Sequence, residues 1–174
     1  VAQTGEIGGK KAGGDAGHGA GIPGGKAKIL RDRPASFAAG ESCYHHPMHD
    51  AKKYGVAVTA HSTYLPDQSD PDGRRFVFAY TITIRNTGDV PSQLISRHWV
   101  ITDAEEQVQE VNGLGVVGHQ PLLPPGESFE YTSWATIKTP VGTMRGEYFC
   151  VAEDGHRFEA PIPEFALVMP RMLH

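Results

Sequence analysis

From Tyr54 onward, large apolar residues alternate with smaller or polar ones in short segments. The clearest segment is 76–84, where aromatic and branched side chains occupy every second position and point to one side of an extended backbone. One face of this strand is therefore predicted to be core. The same alternation predicts strands at 56–63, 94–103, 129–137 and 145–152, with weaker candidates at 107–111, 156–160 and 165–169.

Turn residues separate these segments and indicate the fold class. Runs rich in Gly, Pro, Asn and Asp at 86–89, 124–127, 140–142 and 153–155 suit positive φ or the fixed φ of proline. No long helical periodicity follows Tyr54 without a Gly or Pro. The chain is therefore predicted to be all-β, a two-sheet antiparallel sandwich of roughly seven or eight strands with Trp99 and Tyr131 as aromatic anchors.

The first 53 residues differ in composition from the rest. Ten of the 21 glycines lie in residues 1–25, and so few large apolar side chains cannot offset the entropy of ordering the backbone. Residues 26–53 keep neither a helical nor a strand period. We predict a Gly/Lys-rich, irregular and extended arm or linker at 1–53, and a β-sandwich domain at 54–174.

Composition and charge narrow the functional classes. The chain has 174 residues, of which 39% are hydrophobic, and suits one soluble globular domain. Residues 1–53 carry a net charge of about +3 and residues 54–174 about −7, so no direct DNA binding is expected from the acidic domain. No apolar run is long enough to span a bilayer, and the two cysteines slightly favour a reducing compartment.

The chain begins at Val1 rather than Met, and no secretory h-region precedes Lys10. Two localisations stay open. The protein is cytoplasmic if it is bacterial-like, and organellar, in a mitochondrion or plastid, if the start reflects removal of a presequence.

Several stretches of residues 54–174 are distinctive in sequence and order. They are Tyr64-Leu65-Pro66-Asp67-Gln68-Ser69, Tyr80-Thr81-Ile82-Thr83-Ile84, Ser96-Arg97-His98-Trp99, Ile101-Thr102-Asp103, Gly113-Leu114-Gly115-Val116-Val117-Gly118 and Tyr131-Thr132-Ser133. Together they resemble the ApaG domain family. The resemblance implies a sandwich like fibronectin III and immunoglobulin domains. The family includes free-standing bacterial proteins linked to cobalt resistance and magnesium efflux, and modules of F-box-type ubiquitin-ligase subunits and of a polymerase-delta-interacting protein. The resemblance thus implies a binding module.

Gly113, Gly115 and Gly118 match the pattern G-x-G-x-x-G, which can bring backbone N–H groups close to a pyrophosphate. No helix can follow, because prolines come soon after Gly118. These glycines are candidate phosphate ligands through their backbone alone. The alternative is that they allow a bend or a close approach of strands.

Two further groups are candidate sites. Cys43, His45, His46 and His49 are thiol and imidazole ligands suited to zinc or another divalent metal, although their spacing fits no closed structural site, and an exposed arm or partner contact is the alternative. Alternation places Arg97 and Trp99 on one strand face and His98 on the other. Arg97, Gln68 and Tyr64 are the candidate interaction surface.

No nucleophile elbow or similar signature is present in the sequence, so we expect no enzyme and no cofactor. The first hypothesis is a non-catalytic protein-interaction module, an accessory or structural subunit whose N-terminal arm contacts protein partners in a larger complex. The alternative is a protein that binds phosphate, pyrophosphate or a divalent cation in cobalt and magnesium homeostasis.

Overall fold

The computed structural model describes residues 4–5, 27–30 and 53–171. In these residues the backbone forms one 3-10 helix, Pro66–Gln68, and ten strands. The strands are β1 (Thr4–Gly5), β2 (Ala27–Leu30), β3 (Val56–Tyr64), β4 (Phe76–Asn86), β5 (Ser92–Asp103), β6 (Val108–Leu114), β7 (Leu122–Leu123), β8 (Ser128–Ile137), β9 (Val141–Ala152) and β10 (Arg157–Val168). No helix among these residues is long and apolar enough to cross a membrane.

The strands form two antiparallel sheets. The first sheet has the order β8-β4-β3, with β1 and β2 both paired to the outer side of β8. The second has the order β10-β9-β5-β6, with β7 also paired to β5. This arrangement confirms the all-β, two-sheet antiparallel sandwich predicted from alternation and turns.

Side chains from the inner faces of both sheets make the core. Trp99 is 1% exposed and packs edge-on against Tyr80 of the other sheet. Tyr131 of β8 and Tyr148 of β9 meet across the core, where their hydroxyl oxygens lie 2.6 Å apart. Cys150 is buried beside them on β9. Trp99 and Tyr131 are thus the aromatic anchors that the sequence predicts.

Strand ends differ from the prediction where proline interrupts alternation. The predicted strands at 156–160 and 165–169 are one strand, β10, whose pairing with β9 shifts register between Ile162 and Phe165. Pro161 and Pro163 obscure the period there and lie at the edge of the sheet, where missing N–H groups are tolerated. β10 also contacts β3, since Ser62 Oγ donates to the carbonyl of Ala166 at 2.7 Å. The two sheets therefore meet along this side.

The N-terminal residues that the structure describes are strands. Ala27–Leu30 pairs with Ser128–Tyr131, although no strand period persists in 26–53, because four residues are too short to show one. The remaining residues of the arm lie outside the described ranges. The domain boundary at Tyr54 stays a prediction.

Candidate functional site

Arg97 lies on β5, and its guanidinium reaches the end of β6. Nη1 donates to the carbonyl oxygens of Leu114, at 3.1 Å, and Gly115, at 2.6 Å. Gly113 faces Arg97 in the β5–β6 ladder, and a Cβ there would lie 2.8 Å from the guanidinium atoms. We call Arg97, Gly113 and Gly115 the arginine clamp. It fixes the end of β6 to β5, because the absent side chain at Gly113 leaves room for the guanidinium.

The glycine motif continues from the clamp into a tight turn. Val117 and Gly118 both have positive φ, +46° and +76°, and the N–H and C=O groups of Val116 and His119 bond to each other at 2.7 and 2.9 Å. The N–H of Gly115 donates to the carbonyl of Ile95. These geometries support the interpretation of the motif as a β-turn, since two of its N–H donors, those of Gly115 and Val116, bond to main chain. Pyrophosphate binding by Gly113, Gly115 and Gly118 stays a prediction.

His98 points to the outer face of the same sheet, as the alternation predicts. Its Nδ1 lies 2.7 Å from Glu147 Oε1, and its Nε2 lies 3.2 Å from Glu110 Oε2. The hydrogen bond to Glu147 raises the pKa of His98 most, partial burial opposes the rise, and Glu110 adds to it. His98 and Glu147 line a cleft of about 320 Å³ together with Ser96, Arg97, Asn112, Phe149 and Glu159. Its carboxylates suit a basic group of a partner better than an acidic one.

Replacing Glu147 is expected to lower the pKa of His98 more than replacing Glu110. In Glu147→Gln the stronger carboxylate partner is lost, whereas Glu110→Gln removes the weaker one. NMR titration of the His98 ring measures both variants. Equal effects of the two variants, or no effect of Glu147→Gln, would contradict the assignment.

The same pKa shift predicts the pH dependence of stability. The folded pKa lies above the unfolded value, so the stabilisation is fully present below about pH 6.5 and is lost as the pH rises through the folded pKa. The difference in unfolding free energy between the wild type and His98→Gln is therefore expected to be larger at pH 6 than at pH 9.

β6 ends the second sheet among the described residues. Val108 and Leu114, at its two ends, are 57% and 75% exposed. The strand has the sequence VQEVNGL, with no proline or lysine and one charged residue, Glu110. Edge strands usually carry proline, lysine or other charged residues, or a bulge, and these features prevent pairing with another chain. We call Val108–Leu114 the β6 edge; no strand of the described residues pairs with its outer side.

The other predicted site residues lie elsewhere. Tyr64 ends β3 and packs against Phe78, with ring centroids 5.4 Å apart, and Gln68 ends the 3-10 helix, where its carbonyl accepts a hydrogen bond from Arg75. Both lie in or beside the first sheet, whereas Arg97 lies in the second. The structure does not place the three on one strand or one sheet.

The predicted metal ligands Cys43, His45, His46 and His49 lie outside the described residues. In the part of the chain that the structure does describe, no three His, Cys, Asp or Glu side chains are arranged to hold a metal ion. Divalent-cation binding by the Cys43–His49 group stays a prediction.

One cluster has no signal in the sequence. The Tyr54 hydroxyl donates to Asp154 Oδ2 at 2.6 Å, and its ring stacks on His156 with centroids 3.9 Å apart. Lys53 Nζ lies 3.5 Å from the same carboxylate. The hydrogen bond from Tyr54 is the main cause that lowers the pKa of Asp154. These residues are 100 positions apart in the chain, so only the fold brings them together.

Comparison with known proteins gives consistent matches. The sequence model of the ApaG domain matches residues 66–152. Protein ApaG of Ralstonia nicotianae is 81% identical over 122 residues, which are 70% of this chain and 98% of that protein. Protein ApaG of Thiobacillus denitrificans is 63% identical over 127 residues, 73% of this chain and all of that protein.

A crystal structure of an ApaA protein from Bordetella pertussis superposes with a TM-score of 0.68 at 61% identity. It covers 70% of this chain and 99% of that one. These relatives therefore match over nearly their whole length, and about 30% of this chain lies outside the match.

Proposed function

Because the chain belongs to the ApaG domain family, we propose that it is a non-catalytic protein-interaction module that serves as an accessory subunit of a larger assembly. The observation that carries this proposal is the β6 edge. An open edge strand offers a row of N–H and C=O groups that an extended segment of a partner can continue as a further strand.

The arginine clamp supports this role by holding the edge in place. Its hydrogen bonds to Leu114 and Gly115 tie the end of β6 to β5, and His98 contacts Glu110 in the middle of the strand. A surface that is already ordered loses little conformational entropy when it binds. The β6 edge is thus prepared for a partner without rearrangement.

Charge and exposed apolar groups indicate what the partner segment is like. Glu110 lies on β6, and Glu147 and Glu159 line the cleft on the same sheet, so a segment with Lys or Arg at alternate positions suits this surface. Val108 and Leu114 add exposed apolar surface at the two ends. Burial of such groups supplies affinity, while the carboxylates select the partner.

Leu114→Glu is expected to release the protein from its assembly. The side chain is 75% exposed, so the fold should tolerate the change, whereas a carboxylate buried by a partner without a counter-charge is costly. In native extract we expect the wild type to migrate well above 18.8 kDa and Leu114→Glu to migrate near it. Size separation followed by immunodetection measures both.

Val168→Glu is the matched control. Val168 is 51% exposed and lies on β10, at the opposite edge of the same sheet. This variant should stay in the assembly. The proposal is wrong if the wild type itself migrates as a free chain, or if Leu114→Glu and Val168→Glu behave alike.

A further inference from the structure

The outer edge of β8 is occupied by two short pieces of the N-terminal arm. β2 pairs antiparallel with Ser128–Tyr131, and β1 pairs with Trp134 and Ala135. Without them, β8 would be the edge of the first sheet. The sandwich therefore accepts extended segments along this edge by main-chain pairing.

The pairing of β2 also shows which side chains the edge accepts. Ala27 lies opposite Tyr131 and packs against the core. Lys28 lies opposite Glu130, with Nζ 3.9 Å from Oε1, and Thr83 Oγ1 donates to the other oxygen of that carboxylate at 3.3 Å. Ile29 lies opposite the buried Phe129. The segment that occupies the edge thus has a small, a basic and then two apolar residues.

β2 is held loosely. Ile29 and Leu30 are 52% and 37% exposed, and the Lys28 side chain is 64% exposed. An exposed ion pair contributes little stability, and four residues bury little apolar surface. A second segment of the same pattern can therefore compete for the edge.

The Ralstonia relative has the domain without this strand. The match to the Ralstonia protein is 122 residues long, and a match that contains 66–152 and also reached back to Ala27 would be longer than that. The edge of β8 therefore lacks a counterpart of β2 in that relative. The Bordetella structure shows that such a domain folds without the arm.

We propose that the β8 edge is a strand-docking site for a partner protein, whose extended segment carries a small residue, a basic residue and two apolar residues and pairs antiparallel with Ser128–Tyr131. In the full chain β2 occupies this site, so it competes intramolecularly with the partner segment. The site lies in the first sheet, opposite to the sheet that contains the β6 edge, so it is independent of the function proposed above.

The test uses a fluorescein-labelled peptide of residues 24–33, GGKAKILRDR, as the probe. We expect saturable binding to a chain that starts at Lys53 and binding at least about tenfold weaker to the full chain, because β2 covers the site most of the time. Fluorescence anisotropy measures affinity. In the shortened chain, backbone NMR chemical shifts should change at Ser128–Tyr131, the residues that pair with β2 in the full chain.

Charge reversal provides the control. A peptide with Lys28→Glu is expected to bind the shortened chain about fivefold more weakly, because two carboxylates opposite each other on paired strands repel, and Glu130→Lys in the protein should restore the affinity of that peptide. Circular dichroism of the shortened chain and of Glu130→Lys establishes that both are folded before binding is measured.

Three results would overturn the proposal. They are no saturable binding to the folded, shortened chain, equal affinity for the shortened and full chains, and shift changes at the β6 edge instead of β8. Dimerisation of the full chain by exchange of β2, seen as a concentration-dependent mass, would also replace the partner with a second copy. None of these results bears on Leu114→Glu in native extract, so failure of one proposal is distinguishable from failure of the other.

Discussion

Gly146→Ala is expected to destabilise the fold by about 3 kcal/mol or more. Gly146 lies in β9, between β5 and β10, and pairs with Trp99 on one side and Ile162 on the other. A Cβ there would overlap the carbonyl oxygen of His98 and lie 3.0 Å from its carbonyl carbon and 3.2 Å from Trp99 Cα. All of these atoms are backbone, so the two strands would have to separate. Urea unfolding at pH 7 measures the loss.

Gly126→Ala separates this clash from the ordinary cost of losing a glycine. Gly126 has φ of +81°, and a Cβ there would meet no atom within 4 Å. The cost at Gly126 is therefore that of a left-handed backbone alone, about 1 kcal/mol. A loss at Gly146 no larger than the loss at Gly126 would mean that β5 and β9 can move apart freely, and that the close approach is not a constraint of the fold.

The clearest strands could be predicted because one face of each is buried. In β4 the buried residues Phe76, Phe78, Tyr80, Ile82 and Ile84 recur at every second position, which is the pattern that a half-buried strand leaves in a sequence. Asn86 is equally informative, because its side chain bonds to the N–H of Gly88 and to the carbonyls of Val90 and Leu123, as a turn asparagine does. Local rules thus account for strands and turns.

The candidate site could not be predicted because it depends on strand pairing. The sequence predicts Arg97 as an interface residue and Gly113 as part of a glycine motif, with nothing to connect them, but the β5–β6 register brings them into contact. His98 and Glu147 are 49 positions apart and meet only because β5 pairs with β9. Periodicity gives the face of each residue, whereas its neighbours across the sheet follow from topology.

The strand in the arm cannot be predicted from alternation for a different reason. Ala27–Leu30 shows no alternation because only Ala27 is partly buried and the other three residues are exposed. Main-chain pairing with β8, rather than side-chain burial, places this segment. Such a strand leaves almost no signal in a sequence, and this is also why we infer that another segment can replace it.

Alkaline pH is expected to unfold the protein cooperatively above about pH 10 through Tyr131 and Tyr148. Burial is the main cause that raises the pKa of each hydroxyl above its ordinary value, because the phenolate would lie in the core without water. A raised folded pKa means that stability is fully present below the unfolded pKa of about 10 and falls above it. A group of this kind lowers the unfolding free energy by up to about 1.4 kcal/mol for each pH unit between its unfolded and folded pKa values.

Cys150 makes the unfolding free energy fall from a lower pH, near its unfolded pKa of 9.0. Burial raises the pKa of its thiol to about 12 in the folded protein. Unfolding free energies from urea titrations between pH 8 and 12 should therefore fall first with one slope and then more steeply. Cys150→Ala should remove the early slope, and Tyr131→Phe with Tyr148→Phe should flatten the later one while avoiding an unpaired hydroxyl in the core. If the double variant kept the wild-type slope above pH 10, ionisation outside the core would cause the alkaline transition, and the Tyr131–Tyr148 pair would not be the group that limits the fold at high pH.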